Sequence, residues 1–493
     1  MAPTREYITI FGLMLLVLCF WPREVTHAAD PTSYLTVAVA KDDYITAGPR
    51  KNLGIYPLNV NIAECLTTFD EHFNIQPGLA TSWEYLGEGR WRFHLRPGVK
   101  FHDGSPLDAR AVRQSLARQE QIGATFFNCQ KIEEVSAEVI DIVTRDRNRL
   151  LPYILSHPYL GILKDGHPPV GTGPFVMQTY RRDQYLAVKR NEDYWGDKPQ
   201  IPGIIFRFIP DPAQRLLALQ SGEVEVAVDI PWDFLAPVRG NTFYRLYLSP
   251  PGTYLALMIS SQGPLQDQEL RQIIASSLDR KAMAEVLWHG QADIRQTLIP
   301  VDLLGPDANL MPDIPFRPEE AQKKLQGRKL SLTLVAGFPN AQAHGELPEI
   351  IQAQLKKIGL EVRVLKINDA GLYHAFMKEG KGDLWLERGN QNNADPTFLP
   401  YLLFHPEGFY PKILHTAPGS PRFCQLLEAA RSSGDLENLR KHLALALQEL
   451  IHQQILVIPI ATLPQVIITH KRVILERVYP SLLSMRWDRI VRQ

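Results

Sequence analysis

Residues 91 to 96, "WRFHLR", alternate apolar and polar, the period-two pattern of a half-buried strand. "RPG" ends that run and "HDG" supplies turn chemistry, after which "SPLDARAVRQSL" starts a helix. Either Ser105 with Pro106 and Asp108, or Asp108 alone, caps the helix, and Val112 and Leu116 share one face. The stretch 204–230, "IIFRFIPDPAQRLLALQSGEVEVAVDI", reads as a β-α-β unit. Ile204 to Ile209 form its first strand, and Asp211 caps a helix with Pro212 at the first position. Leu216, Leu217 and Leu219 supply the buried stripe, Gly222 closes the helix, and "VEVAV" returns as a strand. A second unit spans 330–367: "LSLTLVAG", the helix "ELPEIIQAQLKKIG" ending at Gly359, and "LEVRVLKI". Parallel pairs of this kind need covered sheets, so each half of the chain is expected to carry an α/β lobe. After a helical segment at 423–452, two apolar runs follow, "ILVIPIA" and "QVIITH".

This patterning decides how "HDG" is read. His102 and Asp103 are adjacent at a strand-to-helix turn, so their role is structural rather than catalytic. The spacings that nucleophilic, hydrolytic or phosphate chemistry usually needs are missing: no G-x-S-x-G, S-x-x-K, H-E-x-x-H or Walker A loop. "GTGPF" (171–175) lacks the third glycine of a dinucleotide fingerprint and precedes a strand, not a helix. The 14 histidines include no pair spaced to put two ligands on one helix face.

A length of 493 residues favours two or three domains. Lys plus Arg equals Asp plus Glu, at 53 each, which argues against a nucleic-acid or anionic-membrane surface as the main partner. At the N-terminus Arg5 precedes the run "ITIFGLMLLVLCFW" and then "PREVTHAAD", the layout of a secretory signal peptide cut after Ala28. The run has about 14 residues, short of the ~20 needed to span a bilayer. Leu18 before Cys19 is too bulky for the usual lipidation site, so an exported, unanchored protein is expected. Cys65, Cys129 and Cys424 are too far apart for a metal knuckle and allow at most one bridge; buried thiols are the simpler reading.

Several stretches, taken together and in order, resemble one family. "GLATSWEYLGEGRWRFHLRPGVKFHDGSPLDARAV", "VGTGPFVMQTYRRDQYLAVKRNEDYWGDKPQIPGIIFRFIPDPAQRLLALQSGEVEVAV", "LQDQELRQIIASSLDRKAMAEVLWHG" and "NNADPTFLPYLLF" are similar to segments of the extracytoplasmic solute-binding proteins, family 5. These are the peptide-, dipeptide- and nickel-binding components of ABC importers. The resemblance implies an α/β, two-lobed periplasmic-binding-protein fold of class II, with a subdomain inserted in the first lobe. On that pattern residues 1–28 are the signal peptide and 29–55, 170–240 and 460–493 form lobe I. Residues 56–169 form the inserted subdomain, and 241–459 form lobe II. It also implies a periplasmic, monomeric binding protein, not an enzyme, that closes over a small solute and docks on permease subunits in the membrane. An exported ligand sensor or chaperone on the same scaffold, or an enzyme using the cleft, are the competing readings.

Within the family, "RNEDYWGDKPQIPGIIFRFIPDPAQR" and "VYPSLLSMRWDRI" look most like the nickel-binding branch. Nickel or another transition metal is then expected only as part of a chelate ligand. The segment "LERGNQNNADP" supplies Arg388, Asn390 and Asn392 as ligand-contacting candidates. Oligopeptide binders carry an aspartate at the place of Asn392 to hold the peptide amine; asparagine cannot supply the opposing charge, which puts zwitterionic peptide capture in doubt. Arg118 and His157 stand where the nickel binders use arginines, and Tyr56 lies near the family's first ligand-contacting segment or packs under the subdomain. His405 in "LLFHPEGFY" stands two residues from the family's histidine, as a metal ligand or as a solvated loop residue.

Overall fold

The computed structural model describes residues 33–40, 59–121, 128–145, 148–164, 169–260, 262–311, 313–337, 345–414 and 416–493. The N-terminal segment read as a signal peptide and Tyr56 lie outside the described residues.

Two mixed sheets define two lobes. The first has seven strands in the order Tyr244–Leu248, Val466–His470, Val226–Val228, Leu35–Val39, Gly203–Phe208, Tyr185–Arg190 and Phe175–Arg181. The second has five: Glu361–Lys366, Ser331–Ala336, Leu384–Asn390, Thr253–Ile259 and Val457–Leu463. Every residue of Thr253–Ile259 and of Val457–Leu463 is buried, as expected of strands covered on both faces. A separate four-stranded antiparallel sheet, Ala80–Gly87, Arg90–Leu95, Val139–Thr144 and Cys129–Ser136, carries the inserted segment.

The patterned elements form where the periodicity puts them. "WRFHLR" lies in the strand Arg90–Leu95, with Trp91, Phe93 and Leu95 buried. Asp108 alone caps the next helix, its Oδ1 accepting the Ala111 N–H at 2.8 Å, while the Ser105 hydroxyl turns back to Asp103. His102 Nε2 meets the Gly173 carbonyl at 3.0 Å and Asp103 pairs with Lys164 at 2.9 Å, so this turn is a brace between segments. In the first β-α-β unit Asp211 accepts the Gln214 N–H at 2.9 Å and Gly222 takes φ +79°. Two details differ from the sequence reading. Leu217 is 62% exposed and leaves the buried stripe to Leu216 and Leu219. The strands Gly203–Phe208 and Val226–Val228 are not neighbours, because Leu35–Val39 lies between them and pairs in parallel with both.

The chain crosses between the sheets twice, at Ser249–Gly252 and at Pro464–Gln465. The crossings are tied together: the Ser249 N–H donates to the Gln465 carbonyl (3.1 Å), the Gln465 N–H to the Ser249 hydroxyl (2.8 Å), and the Gly252 N–H to the Leu463 carbonyl (3.2 Å). We draw the lobe boundaries at these crossings rather than at 240/241 and 459/460. Beyond them the tail returns to lobe I, where Trp487, 2% exposed, packs edge-on against Phe206. Cys65, Cys129 and Cys424 are free thiols. No helix among the described residues is long and apolar enough to cross a membrane.

Candidate functional site

In an open sheet with parallel strands, ligands bind beyond the carboxyl ends of the strands, where the strand order reverses direction. Lobe I has such a point: Leu35–Val39 is flanked on both sides by parallel partners. The residues just past the three carboxyl ends, Ala40, Pro210 and Asp229, line one cavity of about 160 Å³. Lobe II closes that cavity with Leu287, Trp288, Glu346 and Arg388, and Leu463 to Val466 of the second crossing form its back. Arg388 lies near the carboxyl end of Leu384–Asn390, itself parallel to Ser331–Ala336. Both lobes thus aim strand ends at the same space.

Four charged side chains of the cavity are uncommitted among the described residues, Arg388 and the acids Asp229, Asp233 and Glu346, and of the three acids Asp229 is half-buried while the other two are exposed. Neither the Arg388 guanidinium nor the Asp229 carboxylate makes a hydrogen bond or ion pair among the described residues. Arg215, which also lines the space, is committed: 3% exposed, it donates to the carbonyls of Val228, Ile209, Pro210 and Asp229. Trp232 and Trp288 add largely buried aromatic walls. Such a mix of apolar wall and few convergent polar groups is the usual make-up of a small-molecule site.

The other candidates from the sequence lie elsewhere. Asn390 accepts a hydrogen bond from the Thr253 hydroxyl, and Asn392 accepts one from the Ser481 hydroxyl of the tail at 2.8 Å. His157, 1% exposed, packs edge-on against Tyr159 and at a tilt against Phe398 of lobe II, with ring centroids 4.5 and 5.1 Å away. Its Nδ1 accepts the Tyr159 N–H, and burial depresses its pKa to about 3, so it stays neutral. Beside it the Ser156 hydroxyl accepts the Ala394 N–H at 3.2 Å, which makes 156–157 a seal between the inserted subdomain and lobe II. Arg118 donates to the Leu163 carbonyl inside the inserted subdomain. His405 stacks on Tyr401 at 4.4 Å and meets Glu428 at 3.3 Å, within lobe II. Among the described residues no group of three or more His, Cys, Asp or Glu is placed to hold a metal ion. Of the six candidates among the described residues, Arg388 alone lines this cavity. The sequence reading missed Asp229, Trp232 and Trp288; an acid directly after a returning strand, "VAVDIPW", is the signal that flags the first two.

A comparison with protein families matches residues 74–411 to the bacterial extracellular solute-binding proteins, family 5. The chain belongs to this family. Family 5 proteins bind solutes and are not enzymes. The nickel-binding periplasmic protein of Escherichia coli is 26% identical over 71% of this chain and 75% of its own length. The dipeptide-binding protein of the same organism is 28% identical over 80% and 81%. Among solved structures, NikA from Brucella suis in complex with Fe(III)-EDTA superposes with a TM-score of 0.82 at 19% identity, covering 94% of this chain and 100% of that one. DppA from Helicobacter pylori in complex with the peptide STSA gives 0.79 at 22% identity, covering 93% and 98%. These neighbours share the two-lobed family 5 fold.

Proposed function

We propose that this protein is the periplasmic solute-binding component of an ABC importer, acting as a monomer. It captures a small carboxylate-bearing solute between its lobes and hands it to membrane permease subunits. The observation that carries this reading is the Arg388 guanidinium, unpartnered among the described residues, lining a cavity shared by both lobes. A guanidinium there presents a fork of donors that suits a carboxylate, whether of a short peptide or of a carboxylate chelator around nickel. Nickel, if carried, is part of the cargo. Because a solute touches both lobes only when they are closed, binding draws the population toward the closed form.

The test is calorimetry of the purified protein against a dipeptide and against nickel–histidine, repeated with Arg388→Ala. A charge-assisted contact of roughly 1.5–3 kcal/mol corresponds to a loss of about tenfold to a hundredfold in affinity. The melting temperature of the unliganded variant stays at the wild-type value. Unchanged affinity in Arg388→Ala for a solute that the wild type binds removes Arg388 from the site.

A further inference from the structure

Among the described residues three uncommitted acids line the cavity, and Asp229 is the half-buried one, on the lobe opposite Arg388. Asp229 follows the strand Val226–Val228 and sits at φ +53°, a left-handed backbone that residues other than glycine rarely adopt. It is held there from both sides. Its N–H donates to the Val466 carbonyl at 3.0 Å, and its carbonyl accepts from Arg215 Nη2 at 2.6 Å. The rest of the Arg215 fork reaches Val228 through Nε (3.1 Å) and Ile209 and Pro210 through Nη1 (2.8 Å each). One buried guanidinium therefore braces two strand ends around a strained acid that faces solvent space. Strain fixed by its surroundings at a concave site marks a functional position.

The charges around the space favour one kind of guest. Arg215 is engaged by carbonyls, which among the described residues that line the cavity leaves Arg388 as the available cation against Asp229, Asp233 and Glu346. A purely anionic solute meets that acidic excess, whereas one with an amine and a carboxylate has a partner for each end. Asn392, where oligopeptide binders carry an acid, is occupied by Ser481 of the tail.

We infer that Asp229 is the specificity-determining residue of this site and receives the free ammonium of a short zwitterionic peptide. Arg388 takes its carboxylate. The assignment rests on the reading of Arg388 above and adds to it a requirement for a free amine.

The probes are the dipeptide Ala-Leu, its N-acetyl form and its C-terminal amide, titrated calorimetrically into wild type, Asp229→Asn and Arg388→Ala at pH 7. Asparagine tolerates the left-handed backbone, so Asp229→Asn removes the charge and keeps the conformation. Wild type is expected to bind Ala-Leu at least tenfold more tightly than N-acetyl-Ala-Leu. Asp229→Asn should bind the two alike, at the wild-type affinity for the acetylated form. Arg388→Ala should instead lose the preference for the free carboxylate over the amide. A variant Asp229→Asn that still prefers the free amine overturns the assignment, as does a wild type indifferent to acetylation. In both cases a preference for the carboxylate that depends on Arg388 leaves the underlying reading standing. A wild type that binds none of the three forms overturns the assignment too, and nickel–histidine titrated into wild type and Arg388→Ala then decides the underlying reading separately.

Discussion

Glutamine in place of Glu387 should flatten the pH dependence of stability. Glu387 precedes Arg388 on the strand Leu384–Asn390 and is 2% exposed. The Tyr410 hydroxyl donates to one of its oxygens, and the Tyr373 hydroxyl lies 3.5 Å from the other. Burial raises its pKa from 4.5 to about 7, against the smaller opposing pull of the two tyrosines and the Arg388 N–H. A folded-state pKa above the unfolded one means that the native protein holds a proton which the unfolded chain releases. The contribution to stability is therefore complete below about pH 4.5 and is lost as pH rises through about 7. At about 1.4 kcal/mol per unit, the shift is worth about 3 kcal/mol between those limits. Glutamine keeps an acceptor for Tyr410 and an N–H₂ for Tyr373, and it never ionises. Thermal melts of both proteins from pH 5 to 8 isolate the effect, because every other group titrates alike in the two. The gap between their midpoints should move by about 5–10 °C in favour of Glu387→Gln across that range. Parallel curves would refute the reasoning.

Two further substitutions probe how the tail and the crossings hold the lobes. Arg486 pairs with Asp488 through Nε (2.8 Å) and Nη2 (2.6 Å), and Asp488 is 6% exposed. Arg486→Met leaves that carboxylate with Arg489 at 3.6 Å as its remaining ion pair and should cost about 1–3 kcal/mol in urea unfolding, with much of the loss recovered when Asp488→Asn is added. A Cβ at Gly252 would lie 2.4 Å from the Pro480 carbonyl oxygen and 2.6 Å from Pro480 Cβ. Gly252→Ala should therefore force the tail off the first crossing, at about 1–3 kcal/mol, seen as a lower melting temperature.

Local elements were legible in the sequence because their signals are local. Asp211 with Pro212 starts a helix, Gly222 and Gly359 end two, and alternation in "WRFHLR" places the buried face of a strand. The neighbour of a strand is a different matter. That Leu35–Val39 inserts between Gly203–Phe208 and Val226–Val228 depends on a partner more than 160 residues away, and periodicity carries no trace of it. The site divides along the same line. Arg388 was reachable by its place in a recognisable segment. Asp229 has no motif of its own, and its position in the cavity exists only once the strand order is known. His157 and His405 are polar letters in the sequence, yet one packs at a tilt against Phe398 and the other stacks on Tyr401.

The contacts between the lobes also separate into two kinds, and the separation bears on what a solute must supply. Away from the crossings the lobes meet mostly through neutral groups, beside the exposed pair His72 and Asp302 at 3.8 Å: Ser156 with Ala394, Ser481 with Asn392, the His157 ring with Phe398, and the Arg149 N–H with the Arg431 carbonyl. Each is satisfied by the protein alone. Around the crossings lie charges uncommitted among the described residues, Arg388 and Glu346 on one lobe and Asp229 and Asp233 on the other. Neutral contacts respond weakly to salt, whereas charges in a cavity respond to the charge of whatever fills it. On the proposed reading the neutral seal is a constant contribution to closure, and discrimination between solutes falls to the crossing side of the cleft. Only a ligand with different free energies in the open and closed forms shifts the balance between them, and a solute that pairs with charges of both lobes is such a ligand.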